Sequence, residues 1–306
     1  MVILMNKPGQ LANRLFLFAH FISSAMEHKF TVLCPSLDEY ALYFKNFAGS
    51  LCPRFPCTFV RRYSQQKAHQ RNFCYVLLNK LGRMVLKNKS RYGMLRTGLI
   101  ATHSEIFDIS QKDIVRQLKK PFCFIRNYFY HDVKGLKKYR NEIAPLFVLS
   151  DEYAEKIKSF SKGMRKDVEI VIGVHIRRGD YKTWRGGQYY FEDDVYTRFI
   201  AQAKNLFSGK RVRFLICSNE SVDVSVGGDA DCIMGPGSEI EDLYALAECD
   251  YLIGPPSSYS RWASFLSYSP LFAIEDPDHV LCLEDFKDVF ESPWMTHSTV
   301  QPTKAG

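Results

Sequence analysis

The chain opens with a short apolar run, Val2 to Met5, which stops at Asn6-Lys7-Pro8-Gly9 before apolar residues return at helical spacing, with Leu11, Leu15, Phe18, Ala19 and Ile22 on one face. This predicts a buried strand, a glycine turn and a helix over Leu11 to His28. Phe30 to Cys34 reads as the next strand, so the chain starts as a βαβ unit, which implies a parallel sheet covered by helices. Pro121 to Arg126 predicts another strand, and Lys134 to Phe147 a helix. In the second half the alternation is more regular. Strands over Glu169 to Ile176, Arg213 to Cys217 and Tyr251 to Ile253 alternate with helices over Asp194 to Phe207, Ile240 to Glu248 and Tyr259 to Leu266. The pattern is that of an α/β doubly wound sheet, whose ligands bind outside the carboxyl ends of its strands. Loops after Val174, Cys217 and Ile253 each follow a strand, so three loops of one sheet are expected to line one crevice.

At 306 residues the chain is expected to form two domains. They are residues 1–160 and 161–306, with the polar run Lys158 to Lys166 as the linker or loop leading into the second. The opening apolar run is too short for a signal sequence or a membrane span. Nine scattered cysteines without a CxxC pair predict reduced thiols and neither a disulfide framework nor a zinc site. A cytoplasmic protein is the expectation from both features.

Charge changes this picture in one place. The net charge is +8, yet between Ala41 and Ser104 there is no Asp or Glu, while Lys45, Arg54, Arg61, Arg62, Lys67, Arg71, Lys80, Arg83, Lys87, Lys89, Arg91 and Arg96 are basic. Residues 41–104 therefore read as a basic insertion in the first domain. Within it Phe73, Val76, Leu77, Leu78, Leu81, Val85 and Leu86 recur at near-helical spacing with Lys80, Arg83 and Lys87 between them. Two readings stay open: a helix with its apolar side in the core and a solvated basic face, or a segment, residues 61–96, lying on an anionic membrane surface. The second would place the protein peripherally on the inner face of the membrane. No recognisable nucleic-acid-binding motif is present, so nucleic acid is not an expected partner.

The candidate chemistry gathers after the strand ending near Ile176, in His175-Ile176-Arg177-Arg178-Gly179-Asp180-Tyr181. Two guanidinium groups offer permanent charge and forked donors for phosphate, and the histidine and aspartate are proton carriers or acceptors. Gly179 permits a tight turn. The following stretch, Lys182 to Tyr190, mixes cations, glycines and aromatics, which suits a mobile lid over a sugar ring or phosphate, though a plain surface loop has the same composition.

A second group, Gly9-Gln10-Leu11-Ala12-Asn13-Arg14, lacks the GxGxxG spacing of a dinucleotide fold. Taken alone it is a helix start, whose free N–H groups together with Asn13 and Arg14 would suit an anion. A third, Gly254-Pro255-Pro256-Ser257-Ser258-Tyr259-Ser260-Arg261-Trp262, supplies hydroxyls at a helix start, as caps or as phosphate contacts. Asp242 and Glu241 are candidate acceptors for a base or ribose. The DxD triplet Asp229-Ala230-Asp231 follows Gly227-Gly228 and reads as part of a loop, weak as a metal site.

Together these constellations resemble the α-1,2-fucosyltransferases of glycosyltransferase family eleven and, more distantly, the α-1,6- and protein O-fucosyltransferases. The central HxRRGDY motif is matched at His175, Arg177, Arg178, Gly179, Asp180 and Tyr181. The amino-terminal GGLGNQ-like motif is matched in part by Gly9, Leu11 and Asn13, with Phe16 and Ala19 following. The SSFSWW-like motif is similar to Ser257, Ser258, Tyr259, Ser260 and Trp262, and Tyr128-Phe129 resembles an aromatic pair between the halves. The resemblance spans most of the chain and spares the basic segment and the tail.

The resemblance implies a GT-B architecture of two Rossmann-like domains facing a cleft, the first on the acceptor side and the second binding the GDP-sugar. It further implies GDP-fucose as donor, a glycan or glycolipid acceptor, inversion, an α-1,2 linkage and no required metal or other cofactor. Arg177 would neutralise the departing β-phosphate and Asp180 would be the nearest base, with Glu192 and Asp193 behind it. Asn13, His175, Arg178, Ser218, Asp242, Ser257, Ser258 and Tyr259 would contact the GDP-sugar. The chain departs from the pattern at Gln10, Ala12 and Arg14, where Gly, Gly and Gln are usual, and at Arg261, where Trp is usual. Cys217-Ser218-Asn219-Glu220 also replaces a more acidic stretch. Another nucleotide sugar or acceptor, or a non-catalytic nucleotide- or glycan-binding protein, remains open on this reading.

Overall fold

The computed structural model describes residues 1–57, 68–87, 98–100, 107–126 and 130–291, and the chain divides after Asp151 into two compact units. The first contains β1 (Val2–Leu4), α1 (Leu11–His28), β2 (Val32–Leu33), β3 (Arg54–Phe55), α2 (Ala68–Lys87), β4 (Gly98–Ile100), β5 (Phe107–Asp108), α3 (Lys112–Leu118), β6 (Cys123–Arg126), β7 (Tyr130–His131), α4 (Val133–Lys138) and α5 (Arg140–Ile143). Its main sheet runs β3-β2-β1-β6-β4, parallel except for the β2–β3 pair. The expected opening βαβ unit is there, and α1 covers Leu11 to His28 as the periodicity predicts. Phe44 and Phe47, within the acid-free stretch, pack with Phe18 and Phe147 at ring-centroid distances of 5.6 to 6.2 Å, so part of that stretch is core. The predicted helix over Lys134 to Phe147 is broken into α4, α5 and a 3-10 turn. The break at Tyr139, with φ −104° and ψ 18°, is non-helical, and Pro145 removes a helical donor.

The second unit contains α6 (Asp151–Met164), which begins on the boundary, β8 (Ile170–Ile176), α7 (Asp193–Leu206), β9 (Val212–Ser218), β10 (Asp231–Met234), α8 (Glu239–Ala247), β11 (Tyr251–Gly254), α9 (Ser258–Ser267) and β12 (Leu271–Ala273). The run Lys158 to Lys166, expected as a linker, is helical through Met164. Only Ile157, Ser161 and Met164 of α6 are buried, too sparse an apolar stripe to stand out from its Lys- and Glu-rich composition. Likewise the DxD triplet is not all loop, because Asp231 begins β10.

The sheet order is β10-β9-β8-β11-β12, all parallel. In the sequence order of these strands that is 3-2-1-4-5, the doubly wound order in which the connections reverse between the first and fourth strands, here β8 and β11. Side chains alternate across β8 as the pleat requires. Ile172, Val174 and Ile176 join Val195, Phe199 and Ile200 of α7 in one apolar cluster. His175 points the other way and meets Tyr259 of α9 at a centroid distance of 4.9 Å. The burial of these two faces is what fixes the carboxyl ends of β9, β8 and β11 side by side.

Candidate active site

His175 and Cys217 are register partners at the carboxyl ends of β8 and β9, and β11 ends beside them at Gly254. A Cβ on Gly254 would come within 2.9 Å of the His175 carbonyl oxygen, so glycine is what lets the strands approach here. Gly179, with φ +61°, takes the left-handed conformation expected of a tight turn. The loops following β8, β9 and β11 thus come from three adjacent strands at the switch point.

The strand alternation continues into the first loop and separates the two arginines. Arg178 follows the even, α7-facing side: its guanidinium pairs with Asp193 at the start of α7, and its backbone N–H donates to Asn219 Oδ1 at 2.7 Å. Arg178 Nε is buried without a partner. Arg177 follows the side of His175. Its Nη2 is 2.8 Å from Asp180 Oδ1, and its guanidinium lies 5.6 Å from the Tyr181 ring centre. Asp180 itself stands mostly in water, with 60% of its side chain exposed. Burial first, and then the Arg177 charge, press His175 down to about 3, so at neutral pH its ring is uncharged. His175 Nδ1 is buried and has no partner.

The third loop is braced from both sides. Tyr181 Oη donates to the Pro256 carbonyl at 2.7 Å, tying the β8 loop to the β11 loop. Ser257 caps α9, its Oγ accepting from the Tyr259 N–H at 3.1 Å, while Ser258 opens the helix half-buried. Tyr259 Oη donates to the Glu239 carbonyl at 2.5 Å, joining the starts of α9 and α8. Asp242, on the first turn of α8, accepts from the Gly237 N–H at 2.7 Å, and burial pushes its carboxyl up to about 6. Ser218, at the end of β9, accepts from the Glu220 N–H at 3.2 Å.

The structure therefore gathers Arg177, Arg178, Asp180, His175, Ser218, Asp242, Ser257, Ser258 and Tyr259 on the carboxyl edge of one sheet. Asn13 belongs to the first unit, where it is folded against Gly9. Its neighbour Arg14, expected as an anion donor, is instead buried and donates to the carbonyls of Ser36 (3.1 Å) and Gly9 (3.2 Å) while pairing with Glu39. The Lys182 to Tyr190 stretch forms short 3-10 turns, with Trp184 packed between Tyr181 (4.7 Å) and Tyr189 (5.7 Å).

Two residues that the sequence marks only as departures from the motifs have roles here: Asn219, which positions the Arg178 backbone, and Arg261. Arg261 Nε donates to the Ser257 carbonyl at 3.1 Å, and its charge acts on Tyr181 together with that of Arg177. Burial lowers its guanidinium to about 10, still protonated at neutral pH. An arginine four residues after a capping serine was the available signal.

The DxD carboxylates are engaged elsewhere: Asp229 with Lys204 at 2.9 Å, and Asp231, at the amino end of β10, with Arg213 at 2.8 Å. Among the described residues no group of three or more His, Cys, Asp or Glu side chains is placed to hold a metal ion.

The family model described as glycosyl transferase family 11 matches residues 86–279, nearly two thirds of the chain. Galactoside alpha-(1,2)-fucosyltransferase 2 of Hylobates lar is 29% identical over 156 residues, covering 45% of this chain and 42% of the relative. The Mus musculus protein of the same name is 29% identical over 157 residues with the same coverage. The match thus spans less than half the length of these curated relatives.

Among solved structures, the NodZ alpha-1,6-fucosyltransferase soaked with GDP-fucose superposes with a TM-score of 0.55 at 16% identity, over 92% of this chain and 97% of that one. FUT1 of Arabidopsis thaliana, a mutant in complex with GDP, gives 0.53 at 12% identity over 93% and 72%. At such identities the likeness is one of fold, the GT-B type built of two Rossmann-like units.

Proposed function

The chain belongs to glycosyltransferase family 11, and from that premise we propose that it transfers fucose from GDP-fucose to a hydroxyl of a glycan acceptor, with inversion and an α-1,2 linkage. The observation that carries the reading is Arg177, at the carboxyl end of β8 on the switch-point side, paired with a carboxylate that is itself mostly exposed. Such a pair is weak, because water competes for both partners. A diphosphate can therefore replace Asp180 at the guanidinium at little cost. The names of the relatives, galactoside α-1,2-fucosyltransferases, support the sugar and the linkage, and structures of the same fold in complex with GDP or soaked with GDP-fucose support the donor.

On this reading the acceptor hydroxyl oxygen bonds to the anomeric carbon as the bond from that carbon to the β-phosphate oxygen breaks. Negative charge grows on the departing GDP, where Arg177, with Arg261 behind Tyr181, is preorganised to meet it. Asp180, released from Arg177 by the phosphate, is free to take the proton of the acceptor hydroxyl. Arg178, fixed by Asp193 and Asn219, holds the turn. Neutral His175, Ser218, Asp242, Ser257, Ser258 and Tyr259 line the nucleotide side. The arginines supply the charge that a metal ion provides in other sugar transferases, and no resident metal is required.

Purified protein given GDP-fucose and a galactoside acceptor is expected to release GDP and a fucosylated product, with the same rate in excess EDTA. No release from GDP-fucose with any acceptor overturns the reading, and loss of activity in EDTA that divalent metal restores overturns the metal-free part alone.

A further inference from the structure

Helix α2 is held to the first unit by an unusual face. Arg71 is buried, donating to the carbonyls of Ala48 and, at 2.9 Å, Ser50. Asn79 Nδ2 reaches the Met5 carbonyl at 3.4 Å, and Lys7 lies 4.4 Å over the Tyr75 ring. Gly82 lies against Met5 and Phe124 so closely that any Cβ would strike both side chains. The helix thus turns polar and small residues inward.

Its bulky apolar residues point out. Phe73 is 69% exposed, Val76 52%, Leu77 45%, Leu81 44% and Met84 46%. At 3.6 residues per turn these five fall within an arc of about 140°. Of the apolar residues read as a core-facing stripe, Phe73, Val76, Leu77 and Leu81 are thus exposed, while Leu78 is half-buried. Lys80 and Arg83 are exposed on the same side, inside and at the border of the arc. No acidic residue occurs anywhere from Ala41 to Ser104. No helix among the described residues is long and apolar enough to cross a membrane.

We propose that this face of α2 docks on the surface of an anionic phospholipid bilayer, lying in the interface plane. Large apolar side chains interleaved with cations and free of acids are the composition of interfacial helices: the apolar groups enter the acyl boundary, and the long cationic side chains extend to the headgroups. A protein partner large enough to cover this row would gain nothing from Lys80 inside it unless it were itself acidic, whereas an anionic lipid surface meets apolar and cationic groups together. The surface belongs to the first unit and is independent of the chemistry assigned to the second, so either reading can fail alone.

The test is co-sedimentation of the full chain with vesicles of phosphatidylcholine alone and of phosphatidylcholine with one-third phosphatidylglycerol. Binding to the anionic vesicles only, weakened in 0.5 M salt, is the expected result. Phe73→Asp with Leu77→Asp should abolish it without lowering the unfolding temperature, since both side chains are exposed. Lys80→Gln with Arg83→Gln should weaken it by about tenfold or more, from roughly one interfacial contact per cation. Equal binding to neutral vesicles, no binding to either, or a concentration-dependent dimer that the Phe73→Asp, Leu77→Asp variant disperses would each overturn the proposal.

Discussion

In the first unit Arg71 is buried and reaches the main-chain carbonyls of Ala48 and Ser50, while in the second Arg177 and Arg178 reach the carboxylates of Asp180 and Asp193, which are more than half exposed. A buried carbonyl has no alternative partner once the chain has folded, so the guanidinium that satisfies it is a strut. An exposed carboxylate does have one, water, so the guanidinium it holds can be surrendered to an incoming phosphate. The same contrast extends to histidine. His20 in the first unit accepts from the Asp132 N–H at 3.0 Å, whereas His175 Nδ1 is buried with nothing to bond. At the carboxyl edge of the second sheet, arginines with replaceable partners and a histidine nitrogen without one come together, an arrangement suited to a ligand.

The largest test of this contrast exchanges the two kinds of arginine. Arg177→Ala is expected to lower kcat/KM for GDP release by about 100- to 1,000-fold, with the unfolding temperature nearly unchanged. Arg71→Leu should do the reverse, costing about 2–4 kcal/mol in chemical denaturation through the orphaned carbonyls, with activity per folded molecule retained. If Arg177→Ala destabilises as much as Arg71→Leu, the distinction between strut and ligand cation collapses.

A smaller effect concerns Asp242. Its carboxyl is raised from 3.8 to about 6 by burial, so the folded chain binds the proton more tightly than the unfolded one. Stability then falls as pH rises between those values, and ionised Asp242 costs about 3 kcal/mol above pH 6. Asp242→Asn should raise the denaturation free energy at pH 7.5 and leave it unchanged at pH 3.5, while weakening GDP binding measured by calorimetry. Stabilisation with unaltered GDP affinity would remove Asp242 from the nucleotide contacts.

His175 gives the smallest expected change. Its value falls from 6.5 to about 3 in the folded chain, so its contribution is present above pH 6.5 and is lost as pH falls toward 3. At pH 5 that loss is about 2 kcal/mol. His175→Gln should flatten this acid limb, leaving the part due to His20, which burial also holds well below its ordinary value. An unchanged limb in His175→Gln would mean that the buried ring does not titrate there.

Most of the second unit was legible in the sequence because its strands are continuous apolar runs bounded by turns, and its site motif directly follows one of them. β10 and β12 were missed. The first opens on Asp231 beside two glycines and the second is three residues long, and neither carries enough period to register. Helix α6 was missed because its buried residues are few among many charges.

By itself the sequence determined which residues share a face: His175 and Arg177 on one side of β8 and the residues that follow it, Ile176 and Arg178 on the other, and Phe73, Leu77 and Leu81 together on α2. These are local periodicities, set by the backbone. Only the tertiary structure decided what each face meets. The reversal of strand order brought β9, β8 and β11 together, Asp193 took Arg178, and the carbonyls of Ala48 and Ser50 drew Arg71 inward and turned the apolar side of α2 to solvent. Burial is settled by partners far apart in the chain, and periodicity names the face but not the neighbour.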